Sequence, residues 1–134
     1  MASMSSSSIP PPLRWVPAFL LMVIIFFISS LPGHRLPFFG AWDIYIKKGG
    51  HALGFGLLGL AYYYALPQRL SVGYQWVLAF MMAILFALSD EFHQSFVEGR
   101  TSSLIDVVID GVGAAVALTL GAFYSLNSNS KSIS

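Results

Sequence analysis

Four long apolar runs alternate along the chain with short polar or Pro/Gly-rich stretches, and this alternation predicts four membrane-crossing helices. The first run, residues 13–31, reads LRWVPAFLLMVIIFFISSL and is long enough to cross a hydrocarbon core of about 30 Å. Pro17 falls in its first turn, where a missing N–H is harmless. Arg14 ahead of the run and Ser29 and Ser30 at its end also fit a cleaved secretory signal. The next apolar run is another membrane segment rather than a soluble domain, however, so a retained span is expected. The runs at 50–66 and 72–89 are joined by LPQRLS, a connection short enough to make them an antiparallel hairpin. The fourth run, 104–126, is opened by Thr101, Ser102 and Ser103, and Asp106 stands three residues after Ser103, the spacing of a capping box.

The remaining segments divide the chain. Residues 1–12 are Ser/Pro-rich, cannot bury apolar area and are expected to be a disordered tail. Residues 32–49 mix prolines, glycines and aromatics, which suits an irregular interfacial segment. Residues 127–134 read as a polar C-terminal tail, leaving 13–126 as the membrane domain. Gly54, Gly56 and Gly59 in the second run, and Gly113, Ala117 and Gly121 in the fourth, recur at or near the spacing that lets helices approach closely in lipid. The expected fold class is all-α: a polytopic membrane protein built as a four-transmembrane-helix bundle.

Composition sharpens this picture. The hydrophobic fraction is 56% and the charged fraction 10%, against roughly 25% charged residues in a typical soluble domain. Too little charge is present to clothe a globular surface. The formal net charge is +1 with the basic residues scattered, so no basic face exists to neutralise phosphates and no nucleic-acid partner is expected. Cysteine is absent, which removes disulfides, thiolate metal sites and cysteine nucleophiles together. Lys and Arg are divided almost evenly between the two sides of a four-crossing topology. With Lys47, Lys48 and Arg100 assigned to a site, Arg14, Arg69 and Lys131 direct both termini to the cytoplasm.

The polar residues that do not belong in lipid crowd at one end of the bundle, in SDEFHQSFVEGRTSSLIDVVID, residues 89–110. Four crossings bring Lys47, Lys48 and His51 to the same end. Asp110 lies roughly 10 Å inside the start of its helix, too deep to reach water by snorkelling. An ionised Asp near the core centre costs about 2.5–3.5 kcal/mol even on a mild insertion scale. Asp106 and Asp110 also share a face at i and i+4, so their charges repel unless a cation or a shared proton intervenes.

Three kinds of partner present themselves. The planar fork of Arg100 suits a bidentate pair with Asp106 or Glu91. Lys47 or Lys48 and His51 fall on one helical face and bring cationic donors to the same cavity. A zinc or manganese ion on His51, Glu91, Asp106 and Asp110 is the third, set aside because no dense motif such as H-E-x-x-H is present, so no metal or cofactor is expected. Glu91 shares a face with Gln94, and Asp90 with His93. His93 reads as an interfacial histidine, Asp90 and Glu98 as solvated acids, and Tyr62, Tyr63 and Tyr64 as an aromatic belt at the opposite interface. A plainer alternative is that these charges only cross-link helices, although ionisable residues inside membrane segments are by default functional candidates.

Taken together, several fragments resemble one family. They are K-x-x-H with glycines after it (Lys48, His51, Gly54, Gly56), E-x-x-Q (Glu91, Gln94), Gly99-Arg100, and D-x-x-x-[ND]-G-x-G-A (Asp106, Asp110, Gly111, Gly113, Ala114). Over roughly residues 48–121 the chain resembles the VanZ-like family of small bacterial membrane proteins. It departs from the common pattern at Lys47, where an Asp often precedes the Lys, at Glu98, where a Pro is common, and at Asp110, where an Asn is frequent. The resemblance implies a bacterial cytoplasmic-membrane location and an association with low-level resistance to the glycopeptide teicoplanin.

The function expected from these residues is binding or modulation of a membrane lipid, a lipid-like amphiphile or a lipoglycopeptide in an outward-facing polar cavity. Lys48, His51 and Arg100 then face anionic groups, while Glu91, Gln94, Asp106 and Asp110 orient those cations and accept hydrogen bonds. The alternative is an intramembrane hydrolase or transferase acting on a lipid-linked substrate, with Glu91 or His51 as general base and Arg100 stabilising developing charge. Against it, the chain carries no nucleophile elbow, no metalloprotease motif and nothing resembling the lipid-phosphate phosphatase signature. A transporter is weaker still, because the polar residues stop at mid-membrane; a homodimer would be needed to complete a path.

Overall fold

A computed structural model describes residues 8–133; most of the N-terminal tail, residues 1–7, lies outside them. Among the described residues there is no strand, and four helices succeed one another: α1 (Val16–Ser29), α2 (Asp43–Ala65), α3 (Val72–Gln94) and α4 (Leu104–Ile133). A 3₁₀ turn, Pro11–Trp15, leads into α1, and two more, Gly33–Arg35 and Gly40–Trp42, occupy the connection to α2. Among the described residues three stretches, Pro11–Ser29, Val72–Gln94 and Leu104–Ile133, are long and apolar enough to cross a membrane. The chain is thus an all-α, multi-pass membrane-type bundle. Its α2 is also 23 residues long, but Asp43, Lys47, Lys48, His51 and four tyrosines make it more polar than the rest. It sits centrally, packed on α1, α3 and, most extensively, α4, which buries Tyr62 and Tyr63 and half-buries Lys48 and His51, while Tyr45 and Tyr64 stay exposed.

Element boundaries shift from those expected where side chains find local partners. Helix α2 begins at Asp43 rather than at residue 50, because Asp43 stands in the first turn, where a carboxylate favours the helix dipole. Its carboxylate also accepts the Phe39 N–H at 3.2 Å and pairs with Lys47 one turn on, at 2.8 Å. The interfacial segment is correspondingly shorter. Helix α3 is capped by the Ser71 hydroxyl, which accepts the Tyr74 N–H at 3.3 Å. It continues past Ser89 to Gln94 because Asp90, Glu91 and Gln94 all turn inward and are buried. Pro17 sits in the first turn of α1 as expected, and α4 runs on through the polar residues beyond Leu126 as far as Ile133.

Helices α2 and α4 approach through small residues. A Cβ on Gly56 would sit 3.1 Å from the Gly113 carbonyl oxygen and 3.3 Å from the Ala117 Cβ, while one on Gly59 would touch Leu118 and Ala114. Gly121 faces Leu60. Gly54 departs from this expectation, for nothing lies within 4 Å of a Cβ placed there. On α3, Ala79, Ala83 and Ala87 recur every four residues and are fully buried, which brings that helix close to the same core. Tyr62 and Tyr63 are also buried, at 3% and 2% exposure, and only Tyr64 faces outward. The expected aromatic belt is therefore mostly core, held there partly by the Tyr63 hydroxyl donating to Ser125 Oγ at 3.3 Å. The large exposed side chains, such as Phe19, Phe27, Val112 and Leu120, lie on outer faces, as hydrocarbon contact requires.

At the end of the bundle away from the acids, Arg14 donates to the carbonyls of Tyr64 and Leu66 at 2.7 and 2.9 Å. A guanidinium thereby covers carbonyls that the last turn of α2 leaves without intrahelical partners.

Candidate functional site

The site is assembled from the first half of α2, the last turns of α3, the corner 95–103 and the first two turns of α4. The corner turns on Gly99, whose φ of +72° is a left-handed conformation that glycine adopts without strain. The loop after α1 closes onto it: the Gly33 N–H donates to the Glu98 carbonyl at 3.0 Å, and a Cβ on Gly33 would collide with the Gly99 carbonyl. Two glycine backbones in contact thus fix the position of the next residue, Arg100.

All seven residues singled out from the sequence, Lys48, His51, Glu91, Gln94, Arg100, Asp106 and Asp110, line one cavity of about 410 Å³. Their internal pairing differs from expectation. Asp106 is bonded to Lys48 across α2 and α4, and Glu91 accepts the Ser103 N–H at 2.8 Å, while the Ser102 hydroxyl donates to the Glu91 carbonyl at 2.8 Å. Neither carboxylate pairs with Arg100, so the expected bidentate bridge does not form. Lysine reaches Asp106 first, and the N-terminus of α4 claims Glu91. The capping box is altered for the same reason. Ser103 Oγ accepts the Ile105 N–H at 3.1 Å, but Ser103 gives its own N–H to Glu91 and Asp106 gives its carboxylate to Lys48.

Of these seven, Arg100, Asp110 and His51 are left with buried polar atoms that have no hydrogen-bond partner among the described residues. The Arg100 side chain makes no hydrogen bond or ion pair among the described residues, and its Nε is buried. Asp110 is 1% exposed, and neither of its carboxylate oxygens has a hydrogen-bond partner among the described residues. Its closest basic neighbour is His51, whose Nδ1 stands 3.5 Å from Asp110 Oδ1. That is within ion-pair reach when the imidazole is protonated and too long for a good hydrogen bond. An unpaired cation and a carboxylate without a hydrogen bond therefore face the same cavity. A buried polar group without a partner costs about 1–3 kcal/mol, and a molecule that satisfies both recovers that cost.

Beside the cavity lies a polar cluster built on an acid expected to be in water. Asp90 is 2% exposed, not solvated. Its Oδ2 accepts the Ser29 hydroxyl at 2.8 Å and Gln94 Nε2 at 2.9 Å, and Gln94 Nε2 also lies 3.2 Å from Ser29 Oγ. One turn on, His93 Nε2 is 2.9 Å from the Ser30 hydroxyl, and its ring stacks on Phe26 with centroids 4.4 Å apart. These contacts dock α1 against α3. The Asp90–Gln94 spacing of one helical turn was the available signal. Glu98 is exposed, as expected. Among the described residues no three His, Asp or Glu side chains converge closely enough to hold a metal ion, so His51, Glu91, Asp106 and Asp110 share a cavity without forming a coordination shell.

No curated protein and no solved structure matches the chain. The sequence profile of the VanZ/LLP1 family matches residues 14–125, which span all but the end of the bundle, the cavity and every residue that lines it, and the chain belongs to that family.

Proposed function

We propose that the cavity binds the acidic headgroup of a membrane amphiphile, a lipid or the lipidated part of a glycopeptide. The observation that carries this reading is the unpaired Arg100 guanidinium on the wall of a polar cavity whose other cations, Lys47 and Lys48, are already neutralised by Asp43 and Asp106. A guanidinium is well matched to phosphate or carboxylate through two parallel N–H donors. Lys48 and His51 stand beside it as further donors, and Asp110, Glu91 and Gln94 orient them or accept hydrogen bonds from the ligand. In this reading the protein sits in a bacterial cytoplasmic membrane with both termini inside, the cavity opens outward, and the family association with teicoplanin resistance reflects competition for such an amphiphile.

The test replaces Arg100 by Gln in the full chain. The variant is expected to insert and purify normally while losing binding of an alkyl phosphate by about tenfold or more, the worth of roughly one charge-assisted contact. Unchanged binding would remove the proposal. A second reading, an enzyme acting on a lipid-linked substrate, draws on the 3.5 Å approach of His51 to Asp110, since a histidine beside a carboxylate is a usual proton acceptor. The same preparation separates the two: product formation that disappears in His51→Gln favours catalysis, and stoichiometric binding without turnover favours the receptor.

A further inference from the structure

A second hollow adjoins the cavity. It is about 440 Å³, almost wholly apolar, and runs between Leu21, Ile24 and Ile28 of α1 and Gly50, Gly54 and Leu57 of α2. It shares Lys47, His51 and Arg100 with the polar cavity, so the two spaces meet at the unpaired guanidinium. Gly50 and Gly54 supply an independent observation. Unlike Gly56, Gly59 and Gly113, neither has any atom within 4 Å of where a Cβ would stand, so helix packing does not require them. Glycine in the middle of a helix weakens it relative to alanine. What the two glycines leave is room, one turn apart, on the wall of the groove.

We propose that this groove seats the hydrocarbon chain of the same molecule whose acidic headgroup is held at Arg100, so that the ligand is a membrane lipid with an anionic head and enters sideways from the bilayer between α1 and α2. The inference rests on the headgroup reading above and adds the chain site and the route. Charge argues for this occupant: an uncharged hydrocarbon would leave Arg100 unsatisfied at the junction, whereas an acidic head attached to the chain satisfies it while the chain fills the apolar length. A free phosphate would use only the polar cavity.

The experiment uses the full chain in lipid nanodiscs and a dodecyl phosphate carrying a diazirine in its alkyl chain. Photolabelling is expected on Ile24, Ile28 or Leu57, competed by plain dodecyl phosphate and not by dodecanol or inorganic phosphate. Gly54→Leu, which places a side chain in open space, is expected to cut labelling about tenfold, and Gly50→Leu does the same should the first variant fold poorly. Labelling that falls elsewhere, or that survives both substitutions, overturns the groove. Loss of labelling in Arg100→Gln with full labelling in Gly54→Leu keeps the headgroup site and removes the chain site. Full labelling in Arg100→Gln removes the headgroup reading itself. Competition by inorganic phosphate as effective as that by dodecyl phosphate would assign the cavity to the free anion and overturn the inference.

Discussion

Gly113 of α4 lies against the backbone of Ala52 of α2: a Cβ on the glycine would collide with the Ala52 carbonyl and fall 2.8 Å from the Ala52 Cα. The obstacle is main chain, so no rotamer change relieves it and the two helices must separate. Gly113→Ala is expected to destabilise the bundle by about 1–3 kcal/mol, the usual cost of overpacking. Gly54→Ala, where nothing lies within 4 Å, is expected to gain up to about 1 kcal/mol from helix propensity. Thermal unfolding of both variants in one detergent checks the pair. A Gly113→Ala protein as stable as the parent would mean that α2 and α4 do not touch at this depth.

Gly33 makes the corresponding contact outside the helices. Its N–H holds the Glu98 carbonyl, and a side chain there would run into the Gly99 main chain. Because the contact braces the corner that carries Arg100 rather than the core, Gly33→Ala is expected to weaken alkyl phosphate binding by about tenfold with a smaller loss in unfolding temperature than Gly113→Ala. Equal effects on both readouts would make Gly33 an ordinary packing residue.

These two contacts also mark how far the amino-acid sequence could be read. The four runs, the hairpin and the small-residue faces of α2 and α4 were legible, because each depends on a local period or a loop length. So was the crowding of Lys48, His51, Glu91, Gln94, Arg100, Asp106 and Asp110, since charges buried in a membrane protein must share a cavity. The pairing among them was not. Arg100 matched Asp106 and Glu91 by chemistry, and only the helix registers decide that Lys48 and the Ser103 N–H reach those carboxylates first. Asp90 and the tyrosines were misassigned for a related reason. An acid at a helix end and a Tyr run near a turn read as interfacial until the position of α1, which brings Ser29 to Asp90, is known.

The Asp90 cluster makes its own prediction. Ser29 and Gln94 both donate to one oxygen of a buried carboxylate, so Asp90→Ala strands two donors in an apolar setting. A loss of about 1–3 kcal/mol is expected. Ser29→Ala removes one of those donors and should cost less, with a coupling to Asp90→Ala of roughly 0.6 kcal/mol, the mean for hydrogen bonds between membrane helices. A double-mutant cycle on thermal or denaturant unfolding measures it, and no coupling would mean that the Ser29–Asp90 bond does not help hold α1 on α3.

Lys48 and Asp106 decide whether the charges of the cavity serve a ligand or merely join helices. Both side chains are partly open, at 38% and 22% exposure, and such a pair contributes at most about 1 kcal/mol. Lys48→Met leaves Asp106 unpaired one turn from Asp110, so part of its cost is repulsion between acids. Asp106→Asn in the same chain removes that repulsion and should restore most of the lost unfolding temperature. If Lys48 serves only as a cross-link, alkyl phosphate binding returns along with stability. If Lys48 is a donor to the anionic head, the double variant is stable and still binds several-fold more weakly. Measuring unfolding and binding on the parent, both single variants and the double variant separates the two roles, and we expect recovery of stability without recovery of binding.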